Sequence, residues 1–122
     1  LGRDARIAKL NGALAAAKSA AALTHAASRT GGGAHNAAVT TQGRSITMIH
    51  HYPTANTAGI VAAARLGRAG GFRYSGGGTT AASQLRIQIG DAPIPAQCSF
   101  LYQPPPTVNA APAFTDIQTS GC

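Results

Sequence analysis

The stretch RDARIAKLNGALAAAKSAAALTHAAS, residues 3–28, decides the fold, because it is long, rich in alanine and periodic. Alanine has the highest intrinsic helix propensity, and Asp4 suits the positive end of a helix dipole. Apolar residues recur at three- and four-residue steps, at Ile7, Leu10, Leu14, Ala17 and Ala21. This spacing predicts one helix with one face turned to a core. The glycines after Thr30 predict where the helix ends.

The middle of the chain, residues 29–71, predicts a surface loop, a strand and a short helix. In chain order these elements span residues 31–44, 45–50 and 57–66. The strand alternates its side chains between two faces, with Ile46 and Met48 on the same one. The short helix begins at Thr57, a residue type that caps helix N-termini.

Residues 72–122 predict a sheet. Its four segments span residues 72–75, 85–89, 98–103 and 113–119. The clearest is LRIQI at 85–89, where apolar and polar residues alternate as in a half-buried strand. One long helix followed by short strands predicts an α+β fold. We therefore expect a single domain, residues 1–122, in which an N-terminal helix packs on an antiparallel sheet of about four strands.

Cys98 and Cys122 are the only cysteines. A disulfide between them would close the C-terminal region and stabilise a small domain by roughly 3–3.5 kcal/mol. The alternative is two reduced, buried thiols, although a terminal cysteine is poorly placed for core packing. A disulfide would indicate an oxidising compartment. Two thiols alone do not make the ligand set that zinc needs, so we expect no metal there.

The charge balance is strongly basic. Ten Lys and Arg residues face three acids, and the net charge is +7 with a pI near 10.5. Such a balance favours contact with polyanions such as nucleic acid. No segment predicts a membrane span, because the most apolar one, residues 13–27, contains Lys18 and His25. The chain begins at Leu1 without Met, so we expect a processed or truncated product.

Three stretches together resemble one family. They are DAR at 4–6 with AKSAAAL at 17–23, YPTANTAGI at 52–60, and CSF at 98–100 with TSGC at 119–122. In this combination the chain is similar to the type IV pilins, particularly those resembling the mannose-sensitive haemagglutinin pilins. The resemblance covers nearly the whole chain, and its more specific parts are the Tyr52-Pro53-Thr54-Ala55 step and the terminal Cys122.

The resemblance implies a fold, a location and partners. Family members carry an N-terminal apolar helix that anchors the subunit in the inner membrane and later packs in the filament core. A peptidase removes their leader and N-methylates the new N-terminus. Residues 1–28 would continue that helix, and the segment closed by Cys98 and Cys122 would be an exposed edge that contacts neighbours or ligands. The expected partners are other pilin subunits in a filament at the bacterial cell surface.

Five arginines carry the other functional signal, since all fall near predicted loops or outward strand positions. They are Arg44, Arg65, Arg68, Arg73 and Arg86. On a shared face they would bind DNA phosphates with an affinity that depends on salt. The alternative is a solvated surface whose charge keeps the subunit soluble or pairs it with a neighbour.

Enzymatic and metal-binding patterns are weak. Three scattered Asp residues offer no carboxylate pair for general acid–base catalysis. If His50 and His51 end a strand, their side chains point to opposite faces and cannot share a metal ion. The glycine runs at 31–33 and 76–78 lack the Lys-Ser/Thr of a phosphate-binding loop and predict turns. We expect no enzyme activity, no cofactor and no metal site.

The leading hypothesis is therefore a structural subunit of a type IV pilus, serving adhesion, motility or surface colonisation. The alternative is a competence-type pilin that captures DNA through the arginines. A pseudopilin of a secretion system is a third hypothesis, although the major secretion pseudopilins usually have an acidic calcium loop that this acid-poor chain lacks.

Overall fold

The computed structural model describes residues 2–122. Its first element is one long helix, α1, which spans Arg3–Thr30. It is two residues longer than predicted. Its buried residues follow the predicted stripe, with Leu10, Ala17 and Ala21 at its centre. Ile7 and Leu14 are partly buried against the same core. The helix ends where Gly32 takes a φ of 69°, which glycine adopts without steric penalty.

Two small antiparallel hairpins follow α1. In the first, β1 (Val39–Thr41) pairs with β2 (Arg44–Ile46). In the second, β3 (Met48–Ile49) pairs with β4 (Tyr52–Pro53). The prediction of a strandless loop over 31–44 and of one continuous strand over 45–50 is thus wrong.

The two hairpin turns explain that error. Gln42 and Gly43 have φ values of 50° and 78°, and His50 and His51 have φ values of 51° and 64°. Two successive residues with positive φ match the type I′ pattern, which joins strands through only two residues. Because this turn usually shows Asn-Gly or Asp-Gly in the sequence, a His-His turn carries no recognisable signal.

The short helix is shorter than predicted. A π-helical segment, Thr57–Val61, leads into α2, Ala62–Ala64, and Arg65 then takes a left-handed φ of 58°. The residue at the N-terminal cap is Asn56, and no side chain caps the helix, so the prediction of a Thr57 cap is wrong.

The main sheet has four antiparallel strands in the order of the chain. They are β5 (Phe72–Gly76), β6 (Leu85–Ile89), β7 (Ser99–Gln103) and β8 (Ala113–Gln118). Their inward side chains meet the buried face of α1 in one core, which includes Ile87, Phe100 and Tyr102. The α+β fold, with a long helix packed on an antiparallel sheet, is as predicted.

Two long-range connections attach the rest of the chain to this sheet. The buried Tyr102 hydroxyl donates a hydrogen bond of 2.6 Å to the carbonyl oxygen of Pro53, which joins β7 to the second hairpin. Burial raises the pKa of Tyr102, so the hydroxyl remains a donor. The predicted disulfide joins Cys98 and Cys122, whose Cα atoms lie 4.7 Å apart.

The conformation of the segment around residues 52–60 requires a glycine at position 59. Gly59 is buried, and a Cβ there would lie 2.7 Å from the backbone nitrogen of Thr54 and closer still to its carbonyl oxygen. That oxygen also accepts the backbone N–H of Ile60 at 2.9 Å, so Thr54 is held in place.

We therefore expect Gly59→Ala to lower the free energy of unfolding by about 3 kcal/mol, because the added methyl overlaps a fixed backbone. Gly12→Ala is the matched control, since a Cβ at this position in α1 meets no atom within 4 Å. It should raise the free energy of unfolding by about 0.5–1 kcal/mol through helix propensity. Urea denaturation measures the free energy of unfolding of both variants. Equal changes in the two variants would contradict the close approach at Gly59.

The double substitution Cys98→Ser with Cys122→Ser should lower the free energy of unfolding by about 3 kcal/mol, because it releases the constraint on the unfolded chain. Backbone hydrogen bonds still hold the terminus, since Ile94 donates to Gly121 at 3.1 Å and Gly121 donates to Gln97 at 2.9 Å. The native fold should therefore remain. The control is the wild-type protein melted in parallel with and without reductant. Identical melting temperatures in the two conditions would contradict a stabilising role of the disulfide.

Candidate functional site

The five arginines have three different surroundings. Arg86 lies on the solvent face of the main sheet, where it donates hydrogen bonds to Asp116 at 2.5 Å and Ser99 at 2.9 Å. The hydrogen bond from Arg86, followed by one from Gln118, lowers the pKa of the Asp116 carboxyl group. The charge of Arg86 is therefore already compensated within the domain.

Arg68 and Arg73 lie beside a shallow hollow of about 350 Å³ at the start of β5. The Arg68 guanidinium is 5.4 Å from the centre of the Tyr74 ring, a cation–π arrangement. Asp91 lines the same hollow and also forms an ion pair of 3.7 Å with Arg6. This hollow therefore contains charges of both signs.

Arg44 and Arg65 line a groove of about 200 Å³ between α1, the first hairpin and α2. Both side chains are exposed, and within residues 2–122 neither forms an ion pair or a side-chain hydrogen bond. The groove has no acidic lining residue, and Leu23 at its edge is 72% exposed. It is the most uniformly basic of the three surroundings.

The outer face of α1 is exposed to solvent. Along it runs a row of exposed small residues at alternating three- and four-residue steps: Ala5, Ala8, Gly12, Ala15, Ser19, Ala22 and Ala26. This row lies opposite the buried stripe that contains Leu10 and Ala17. Small side chains allow another helix to approach closely, so this face is suited to helix–helix packing.

The C-terminal region presents an edge of the main sheet. Within residues 2–122 its last strand, β8, pairs only with β7, and the pairing is irregular between Ser99 and Leu101. Ile117 on β8 is 49% exposed. An edge strand offers unpaired backbone groups to a neighbour, and an irregular register limits uncontrolled pairing.

All four histidines lie together at the end of α1, a grouping that the sequence analysis missed. The histidine cluster consists of His25, His35, His50 and His51. His25 stacks on Tyr52 with 4.1 Å between ring centres, and the rings of His35 and His50 are 5.1 Å apart. Because His50 and His51 form a turn instead of a strand end, the prediction that they point to opposite faces of a strand does not apply.

Hydrogen bonds are the polar contacts that the histidine cluster makes. Ser28 Oγ lies 2.7 Å from His51 Nδ1, but Ser28 is buried and no carboxylate within residues 2–122 bonds to His51. The pair therefore lacks the accessible nucleophile and the third group of a hydrolase triad. The described part of the chain contains no group of three or more His, Cys, Asp or Glu side chains placed to hold a metal ion.

None of the helices formed by residues 2–122 is both long and apolar enough to cross a membrane. No family model, no curated protein and no solved structure matches this chain, so the resemblance to type IV pilins stays a prediction from the sequence motifs.

Proposed function

We propose that this chain is the globular part of a type IV pilin-like subunit that forms a filament with other copies of itself. The observation that carries the proposal is the division of α1 into two faces, one buried on an antiparallel sheet and one exposed and lined with small residues. A helix that is amphipathic in this way packs on its own domain and still has a surface for neighbouring subunits.

Two further features support the same proposal. The disulfide between Cys98 and Cys122 is of a kind that persists in oxidising surroundings such as the periplasm and the cell surface. It closes the region that carries the edge strand β8, which suits a segment exposed to neighbours or ligands. In this proposal an apolar segment preceding Leu1 anchors the subunit in the inner membrane before assembly.

The proposal predicts that the native protein is recovered in filaments sheared from the cell surface, with an apolar segment that begins with an N-methylated residue.

Introducing a large side chain on the outer face of α1, as in Ala15→Trp or Ala22→Trp, should abolish filaments, because close helix packing is lost. Ser75→Trp, on the exposed solvent face of β5, is the matched control and should leave filament yield unchanged. Normal filaments from both α1 variants would contradict the proposal.

The groove between Arg44 and Arg65 favours a second candidate function, binding of DNA by the same subunit. Two arginines without a partner in the described chain face a groove that has no acidic residue. Each arginine that contacts a phosphate displaces a condensed counterion, so its removal changes how affinity depends on salt.

We expect Arg44→Gln with Arg65→Gln to weaken DNA binding and to reduce the slope of log Kd against log salt by about 2, one for each phosphate contact. Arg86→Gln is the control, because Asp116 already compensates the charge of Arg86. Fluorescence anisotropy with a labelled duplex between about 50 and 200 mM salt measures the affinity and its salt dependence for each protein. Equal slopes for the wild type and the double variant would exclude the groove as a DNA site.

A further inference from the structure

The turn between β3 and β4 is held by groups distant in sequence. His50 and His51, its two central residues, both have left-handed φ values. Such values are unfavourable for residues other than glycine, although histidine tolerates them better than most. The surroundings of a strained turn must therefore stabilise it.

His35 holds both backbone N–H groups of this turn. The N–H of His50 donates to the ring atom Nδ1 of His35 at 2.9 Å, and the N–H of His51 donates to the carbonyl oxygen of His35 at 2.8 Å. The first of these bonds requires a lone pair on Nδ1. A protonated imidazole has an N–H at both nitrogens and cannot accept, so acid removes this bond.

Two other rings attach the turn to its neighbours. His25, on α1, donates from Nδ1 to the carbonyl oxygen of His51 at 2.9 Å. His50 donates from Nδ1 to the carbonyl oxygen of Pro105 at 2.7 Å, which connects the turn to the segment after β7. The turn is thus connected to α1, to the loop that contains His35 and to the C-terminal region.

The charged groups around the cluster are all basic. Arg29 lies on the last turn of α1 beside His51, and the remaining titratable neighbours are the other three histidines and Tyr52. The three acids of the chain are elsewhere, since Asp4 is in the first turn of α1, and the other two pair with Arg6 and Arg86. No carboxylate in the described chain is therefore close enough to compensate imidazolium charges.

We propose that the histidine cluster is an acid-sensitive contact, in which protonation of His35 releases the β3–β4 turn from the loop that contains His35. This property does not depend on whether the chain polymerises. It follows from the need for a neutral acceptor at His35 and from the repulsion among rings that have no acid nearby.

His51 adds a second dependence of stability on pH. Partial burial, followed by the positive charge of Arg29 and by His25 and His35, lowers the pKa of His51. The folded state then favours the neutral ring, so this contribution to stability is complete above about pH 6.5, the ordinary histidine value. It is lost as pH falls below that value towards the lowered pKa of the folded state. The turn should be closed at neutral pH and should open in mild acid.

Hydrogen exchange at single residues tests the proposal. The protection factors of the His50 and His51 amides, corrected for the intrinsic exchange rate at each pH, are measured by NMR at pH 7.5 and pH 5.5. In the wild type both should fall by about two- to tenfold on acidification, the range expected for loss of one hydrogen bond. The amide of Ile89, which donates to Cys98 at 3.0 Å in the main sheet, is the internal reference and should not change.

Two variants separate this effect from general acid destabilisation. His35→Asn places an amide oxygen close to the position of Nδ1, an acceptor that does not titrate, so the His50 amide should lose its dependence on pH. His35→Ala removes the acceptor and should leave that amide weakly protected at both pH values. Wild-type protection factors that are equal at the two pH values would overturn the proposal, whether or not the variants fold. So would an undiminished pH response in His35→Asn.

Discussion

Packing of the buried face of α1 into one core with the main sheet is the constraint on which the rest of the structure depends. Ala13, Ala17 and Ala21 on α1 share this core with large side chains of the sheet such as Phe100 and Tyr102. Neither β1–β2 nor β3–β4 is large enough to be stable alone, because two-stranded hairpins are at best marginal in water. The first packs on α1 and α2, and the second packs on α1 and is bonded to the sheet through Tyr102.

The attachments around this core are made by a few specific contacts instead of by a large apolar area. Tyr102 reaches from the sheet to Pro53, and Cys98 is bonded to the terminal Cys122. A chain rich in alanine buries little area per residue, which limits the hydrophobic contribution to stability. Directed hydrogen bonds and a disulfide therefore have a large share in holding the outer segments of this domain.

One helix connects the three proposals made for this protein. Its outer face is suited to packing against other subunits, and its C-terminal end holds His25 and Ser28 against the β3–β4 turn. In a filament, acid opening of the turn would change the surface at one end of the helix while the buried face remained packed. The arginine groove lies along the same helix, so basic charge is present beside both surfaces.

The sequence by itself determined the elements whose signal is local. The periodicity of α1, the alternation in β6 and the presence of only two cysteines predicted the long helix, the sheet and the disulfide. The tertiary structure alone decided that residues 45–50 belong to two hairpins, that the five arginines are divided among three surroundings, and that the four histidines meet. These features depend on contacts between residues far apart in the chain, such as His50 with Pro105, and a periodic pattern carries information only about neighbours along the same element.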